Sequence, residues 1–186
     1  GFFIATAAFA ACMALASRIW KQIDPDFSAR MLDAAVRAWN WLQMNPVLIP
    51  WKNPEDIHTG GYGDNCMTDE LFWAGCELFA ATGDEQYAED LEFQARQIDI
   101  SQMGWREVGG LGSMCCLFEL NRKLDPDFLD WLRERFLRAA DRAINTISQS
   151  VYGTALGYME YIWGSNLTVL SRGMILICGW KLTGDR

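Results

Sequence analysis

Two kinds of helical pattern take turns along this chain. Residues 3–20, 67–81, 109–121 and 166–181 are apolar almost all round, whereas residues 26–44, 84–97 and 127–148 are apolar on one face only. In the last of these, Leu129, Leu132, Phe136 and Leu137 mark a dry stripe, and Asp130, Arg133, Glu134 and Arg138 a wet one. A rod that is apolar on every side needs cover on every side; a half-apolar rod needs it on one. Regular alternation of the two is satisfied by an inner ring of helices wrapped by an outer ring. No strand alternation competes. The sequence therefore predicts an all-α fold and a toroid of alternating inner and outer helices; an irregular helical bundle or a helical solenoid is the plainer alternative.

The chain also repeats itself. With a shift of 101 residues, Asp24-Pro25-Asp26-Phe27 falls on Asp125-Pro126-Asp127-Phe128, and Thr82-Gly83-Asp84 on Thr183-Gly184-Asp185. Tyr62-Gly63-Asp64-Asn65 falls on Trp163-Gly164-Ser165-Asn166. Each Asp-Pro pair reads as an N-cap followed by a proline at the first helical position. Each Thr-Gly-Asp reads as a glycine that ends one helix and an acid that starts the next. The chain thus holds nearly two copies of one unit. Four inner and three outer helices are too few to close a ring. The expectation is that residues 1–186 form a single segment of a larger toroidal domain, truncated at both ends.

Composition removes several functions. A 51% hydrophobic chain can bury a sizeable core, and a net charge of −8 repels phosphate backbones, so no nucleic-acid partner is expected. Cys12, Cys76, Cys115, Cys116 and Cys178 sit in apolar runs with no C-x-x-C spacing, which predicts buried free thiols. A lone histidine, His58, argues against a zinc site or a Ser-His-Asp triad. The apolar N-terminal run ends at Ser17-Arg18 without a basic leader, so it reads as a buried helix and not as a membrane span. Nine tryptophans suit either a large helical core or flat apolar ligands such as sugar rings.

Four runs, taken in order, carry a resemblance: ATAAFAACMALASRIW with DPDFSARMLDAAVRAWNWL, TGGYGDNCMTDELFWAGCELFAATGDEQY, GWREVGGLGSMCCLFEL, and GYMEYIWGSNLTVLSRGMILICGWKLTGD. Together they resemble the middle of the catalytic module of the family-nine glycoside hydrolases, which are cellulase-type endoglucanases. The resemblance implies part of an (α/α)6 barrel, secretion, and inverting cleavage of β-1,4-glucan chains. Inversion uses a base and an acid carboxylate about 6.5–9.5 Å apart. In the family the base comes from an aspartate-rich motif before this region and the acid from a glutamate after it. Neither motif occurs in this sequence, so the resemblance assigns it no catalytic residue. It implies a scaffold with part of the substrate cleft; a non-catalytic carbohydrate-binding or scaffold module is the alternative.

The same resemblance implies two sets of site residues. Tyr62, Trp105 and Trp163 lie in loops that lead into apolar helices and match positions that contact the glucan. Packing of these aromatics onto the rim is the plainer reading. An aromatic often found just after the tryptophan-glycine-serine motif is Thr168 here, which alters that subsite. Asp64, Asn65, Asp69 and Glu70 match a region that holds a structural calcium ion (Ca2+), and their oxygens are of the kind calcium takes. Two other readings stay open: Thr68 caps the helix and the acids favour its positive end, or Asp64 or Glu70 acts as an acid or base. An incomplete ring would also leave apolar helix faces uncovered, which predicts a homodimer, with or without exchanged helices.

Overall fold

A computed structural model describes residues 2–47, 49, 52–60, 63–64 and 66–184. Tyr62, Asn65 and Trp51 lie outside the described residues. Among the described residues there are seven α-helices and no strand: α1 (Phe2–Trp20), α2 (Pro25–Met44), α3 (Thr68–Thr82), α4 (Leu91–Ala95), α5 (Gly109–Phe118), α6 (Pro126–Gln149) and α7 (Ser165–Thr183). Short 3-10 turns span Glu85–Tyr87 and Tyr158–Glu160. The chain divides into two compact units, Gly1–Ile98 and Asp99–Arg186, so the division falls close to one period of the sequence repeat.

In the first unit α1 lies against α2 and α3. Phe3, Ala7, Ala10, Ala14 and Ser17 are buried at helical spacing. Alanines on that face let neighbouring backbones come close, and the Ser28 hydroxyl donates to Ser17 O at 2.7 Å. Phe3, Ala7 and Leu42 form a cluster with Trp39, Met67 and Leu71 against it. Helix α3 is buried from Asp69 to Phe79 on nearly every side. In the second unit α6 buries Phe128, Leu132, Phe136, Ala140 and Ala143 and keeps Asp130, Arg133, Glu134 and Arg138 in water. That is the face the sequence periodicity selects.

The repeat is visible as matched caps. Asp24 accepts from Phe27 N at 2.9 Å and Asp125 from Phe128 N at 3.0 Å, each ahead of a proline at the first helical turn. Gly83 and Gly184 end α3 and α7 with φ of 75° and 76°, the left-handed region where a side chain is strained. Their N–H groups donate to Phe79 O and Trp180 O, four residues back in each copy.

Three expectations need correction. Residues 84–97 do not form one amphipathic helix: the Asp84 carboxylate takes both the Gln86 N–H and its side-chain amide, tightening the start into a 3-10 turn. Tyr87, edge-on to Trp39 at 5.6 Å, then holds that turn while Leu91 and Ala95 bury within α4. Second, all-round burial holds for α3 but not for α1 or α7, which leave Phe9 and Ile19, and Leu167, Leu170, Met174 and Ile177, exposed. Within the first unit α2 and α3 cover the alanine face of α1, and in the second unit α7 lies against α6. Third, Cys12 is exposed, whereas Cys76, Cys115, Cys116 and Cys178 are buried thiols outside any disulfide. By length and composition alone α1 could cross a membrane; in the first unit its alanine face is occupied by α2 and α3.

Candidate functional site

Two loops of the second unit deliver aromatic side chains to one cavity. Residues 101–108 run into α5 and carry Trp105; residues 150–164 run into α7 and carry Trp163. Both tryptophans line a cavity of about 420 Å³, together with Glu107, Glu160, Thr168 and Arg172. That volume lies within the range of small-molecule sites. The rings are presented to solvent: Trp163 is 91% and Trp105 63% exposed. Arg106 sits over the Trp105 ring at 5.8 Å and pairs with Glu107 at 2.7 Å.

The loops are held from below. Gly110 N donates to Gln102 O at 2.7 Å and Gly104 N to Glu107 O at 2.6 Å. A Cβ at Gly110 would meet Gln102 O at 2.8 Å and Met103 Cγ at 2.5 Å, so only glycine admits this approach. In the second loop Thr154 Oγ1 pairs with Tyr161 Oη at 2.6 Å. Arg172, from α7, makes a fork to Glu160: Nη1 to Oε2 at 2.6 Å and Nη2 to Oε1 at 2.5 Å. Arg172 Nη1 also donates to Ala155 O, and Glu160 Oε2 accepts the Gly157 N–H at 2.6 Å. The hydrogen-bonded guanidinium holds the Glu160 carboxyl below its ordinary range.

Arg172, Glu160 and Ser171 were not among the residues the sequence singled out. The signal was present, since Arg172 is one of only two charges in α7, an otherwise nearly apolar helix. Flat aromatic faces above charged and hydroxyl groups can stack on apolar C–H faces and bond hydroxyls.

The first unit holds the acidic candidates. Asp69 and Glu70 occupy the first turn of α3 and are buried, at 4% and 3% exposure. Met67, not Thr68, is the N-cap, and no side chain caps the helix, so the capping alternative for Thr68 fails. Burial, then the neighbouring charge of Asp69 and more weakly that of Asp64, pushes the Glu70 carboxyl up to about 9. Glu70 Oε2 is buried with no hydrogen-bond partner among the described residues. Asp64 Oδ1 accepts from Cys66 N at 3.0 Å. Among the described residues no three histidine, cysteine or acidic side chains converge as a metal cluster. Two adjacent buried acids with an orphaned oxygen nevertheless fit a cation that draws its remaining ligands from carbonyl oxygens.

The helices match part of known (α/α)6 barrels. An endoglucanase from Alicyclobacillus acidocaldarius superposes with a TM-score of 0.89 at 33% identity, covering 97% of this chain and 34% of that structure. A structure of AaCel9A in complex with a cellobiose-like isofagomine gives 0.90 at 32% identity, covering 99% and 35%. The pattern of glycosyl hydrolase family 9 matches residues 4–186, and the chain belongs to that family. Relatives include a cellodextrinase of Butyrivibrio fibrisolvens, 30% identical over 93% of this chain, and endoglucanase D of Acetivibrio thermocellus, 31% identical over 96%. The chain spans only 34% and 29% of the lengths of those two relatives.

Proposed function

We propose that this chain is part of a glycoside hydrolase that cleaves β-1,4-glucan chains of the cellulose type with inversion of configuration. The observation that carries the reading is the meeting of Trp105 and Trp163, from two separate loops, at one cavity. The names of the relatives point to the same substrates. Cellodextrinase and endoglucanase act on glucans, and the AaCel9A structure holds a cellobiose-like ligand. In this reading the segment supplies scaffold and part of the cleft, Tyr62 adds a further contact, and the base and acid carboxylates belong to other parts of the module. The protein is secreted, as cellulose lies outside the cell.

The test is a pair of measurements on the purified chain. Cellotetraose binds and is weakened by Trp163→Ala, while carboxymethyl-cellulose is not hydrolysed efficiently. Robust hydrolysis that disappears in Glu70→Gln would overturn the assignment and make the acidic loop catalytic.

The same reading gives the first unit a structural calcium ion, held by Asp69 and Glu70 with Asp64 and Asn65 alongside. Calcium would supply charge that lets the two buried carboxylates ionise together. Those residues would bind it and so fix the loop before α3. We also propose that the chain associates as a homodimer through its exposed apolar helix faces.

A further inference from the structure

We propose that two consecutive residues of α7, Ser171 and Arg172, clamp the two tryptophan loops and so set the separation of Trp105 and Trp163 that a glucan must match. The proposal rests on the glucan reading of the cavity.

The argument begins with the rings. Trp163 is almost wholly in solvent and Trp105 mostly so. The Trp163 ring therefore inherits its place from the backbone that carries it, and the Trp105 ring, with Arg106 from its own loop over it, moves with that loop. What holds each loop therefore decides where each platform stands. Neighbouring residues on a helix point about 100° apart, and here that divergence sends one tether to each loop. Ser171 Oγ reaches Met103 O, two residues before Trp105. It also lies 2.8 Å from Leu167 O, one turn back, and its single proton serves one carbonyl at a time. Arg172 reaches the other loop by three donors' worth of contact: two to Glu160 and one to Ala155 O. Glu160 closes the network on Gly157 N–H. Residues 155–160 are thus tied to the middle of α7 a few residues before Trp163. A planar fork paired with a carboxylate fixes direction as well as distance. Both members of that pair line the cavity.

The repeat sharpens the assignment. The shift of 101 residues places Ser171 on Glu70 and Arg172 on Leu71. At one helix position the first unit carries a buried acid and the second a hydroxyl, with a guanidinium beside it. Only the second copy reaches its loops with direct side-chain bonds from these two positions among the described residues. That difference is what a tether to the aromatic loops requires, and core packing alone does not call for it.

The experiment uses the 186-residue chain, hydrogen–deuterium exchange and calorimetric titration with cellotetraose. Arg172→Gln should speed exchange in residues 155–160 and leave residues 101–107 unchanged. Ser171→Ala should do the reverse. Arg172→Gln should weaken cellotetraose roughly tenfold and Ser171→Ala about threefold. Arg172→Lys, which keeps the charge and loses the fork, should recover part of the affinity. Exchange that rises equally in both loops, or in neither, would overturn the clamp and leave these residues a packing role only. A parent chain that binds no cellotetraose would overturn the glucan reading, while the exchange measurements still decide the clamp. If Arg172→Gln does not fold, Glu160→Gln, at the more exposed end of the pair, gives the same local exchange readout.

Discussion

Burial of charge decides the behaviour of single residues in the first unit. Glu77 lies inside α3, where Oε2 accepts from Arg18 at 2.5 Å and Oε1 from Trp73 Nε1 at 3.3 Å. Removing one partner of a buried ion pair leaves the other charge uncompensated, which costs more than the pair contributes. Arg18→Met should therefore destabilise the chain by about 3 kcal/mol in urea denaturation, and Glu77→Gln should destabilise it too, because its one amide oxygen can replace only one of the two carboxylate acceptors and its NH2 group then faces the other donor. The double variant Arg18→Met/Glu77→Leu should regain part of the loss, since the leucine leaves the buried Trp73 N–H without its acceptor. Glu70 behaves differently because its acid form is the favoured one. Its carboxyl lies near 9 in the folded chain against about 4.3 unfolded. Without calcium, its contribution to stability is fully present below the unfolded value and is lost as pH rises toward 9. A calcium ion held there would compete with that proton. Added calcium should raise the melting temperature more at pH 8 than at pH 5, and Glu70→Gln should remove both the pH slope and much of the calcium effect. A calcium shift that is equal at both pH values would count against the site. Glu160 has the opposite sign: its lowered carboxyl stabilises the second unit above the unfolded value and loses that effect as acid protonates it.

At the scale of elements, what the sequence made legible was whatever local chemistry controls. The two Asp-Pro starts and the two glycine stops, Gly83 and Gly184, are short-range signals, and each appears as the cap its residues dictate, while Asp185 lies outside the described residues. The wet face of α6 follows from periodicity in the same way. Residues 84–97 were misread because Asp84 and Gln86 bond each other locally, and periodicity does not register that. The all-round apolar reading of α1 and α7 was correct as composition but gave no burial, since cover depends on neighbours the pattern does not name. The site was legible only in part. Trp105 and Trp163 were marked by the family resemblance together with their place before apolar helices, yet the groups that hold their loops, Ser171, Arg172 and Glu160, act across 12 to 68 residues of sequence. Gly110 shows how tightly such an element is fitted. Its N–H and its missing side chain together seat the Trp105 loop on α5. Gly110→Ala should push residues 102–103 outward, cost about 1–3 kcal/mol and weaken cellotetraose, read by thermal denaturation and titration on one sample. Gly184→Ala, strained only in its backbone, should cost about 1 kcal/mol and leave binding unchanged.

The whole chain carries more apolar surface than its own helices cover. On α7, Leu167, Leu170, Met174 and Ile177 are exposed at intervals of three and four residues, which is one continuous stripe along a helix. On α1, Phe9 and Ile19 are also exposed. Isolated exposed leucines are ordinary, but an aligned stripe is the surface that a second helix buries. The net charge of −8 does not oppose this, because α7 carries only Arg172 and Lys181. A two-fold dimer lets each copy present the same stripe to the other, so one feature satisfies both partners. Light scattering at micromolar concentration should give twice the chain mass of 21.1 kDa. Leu170→Glu with Ile177→Glu should halve it, because each introduced carboxylate would have to leave water on association. These positions face away from α6, so the helical content should stay unchanged by circular dichroism. A parent chain that is monomeric at all concentrations, with its stripe still exposed to solvent, would show that the face is tolerated as it stands and that no second copy occupies it.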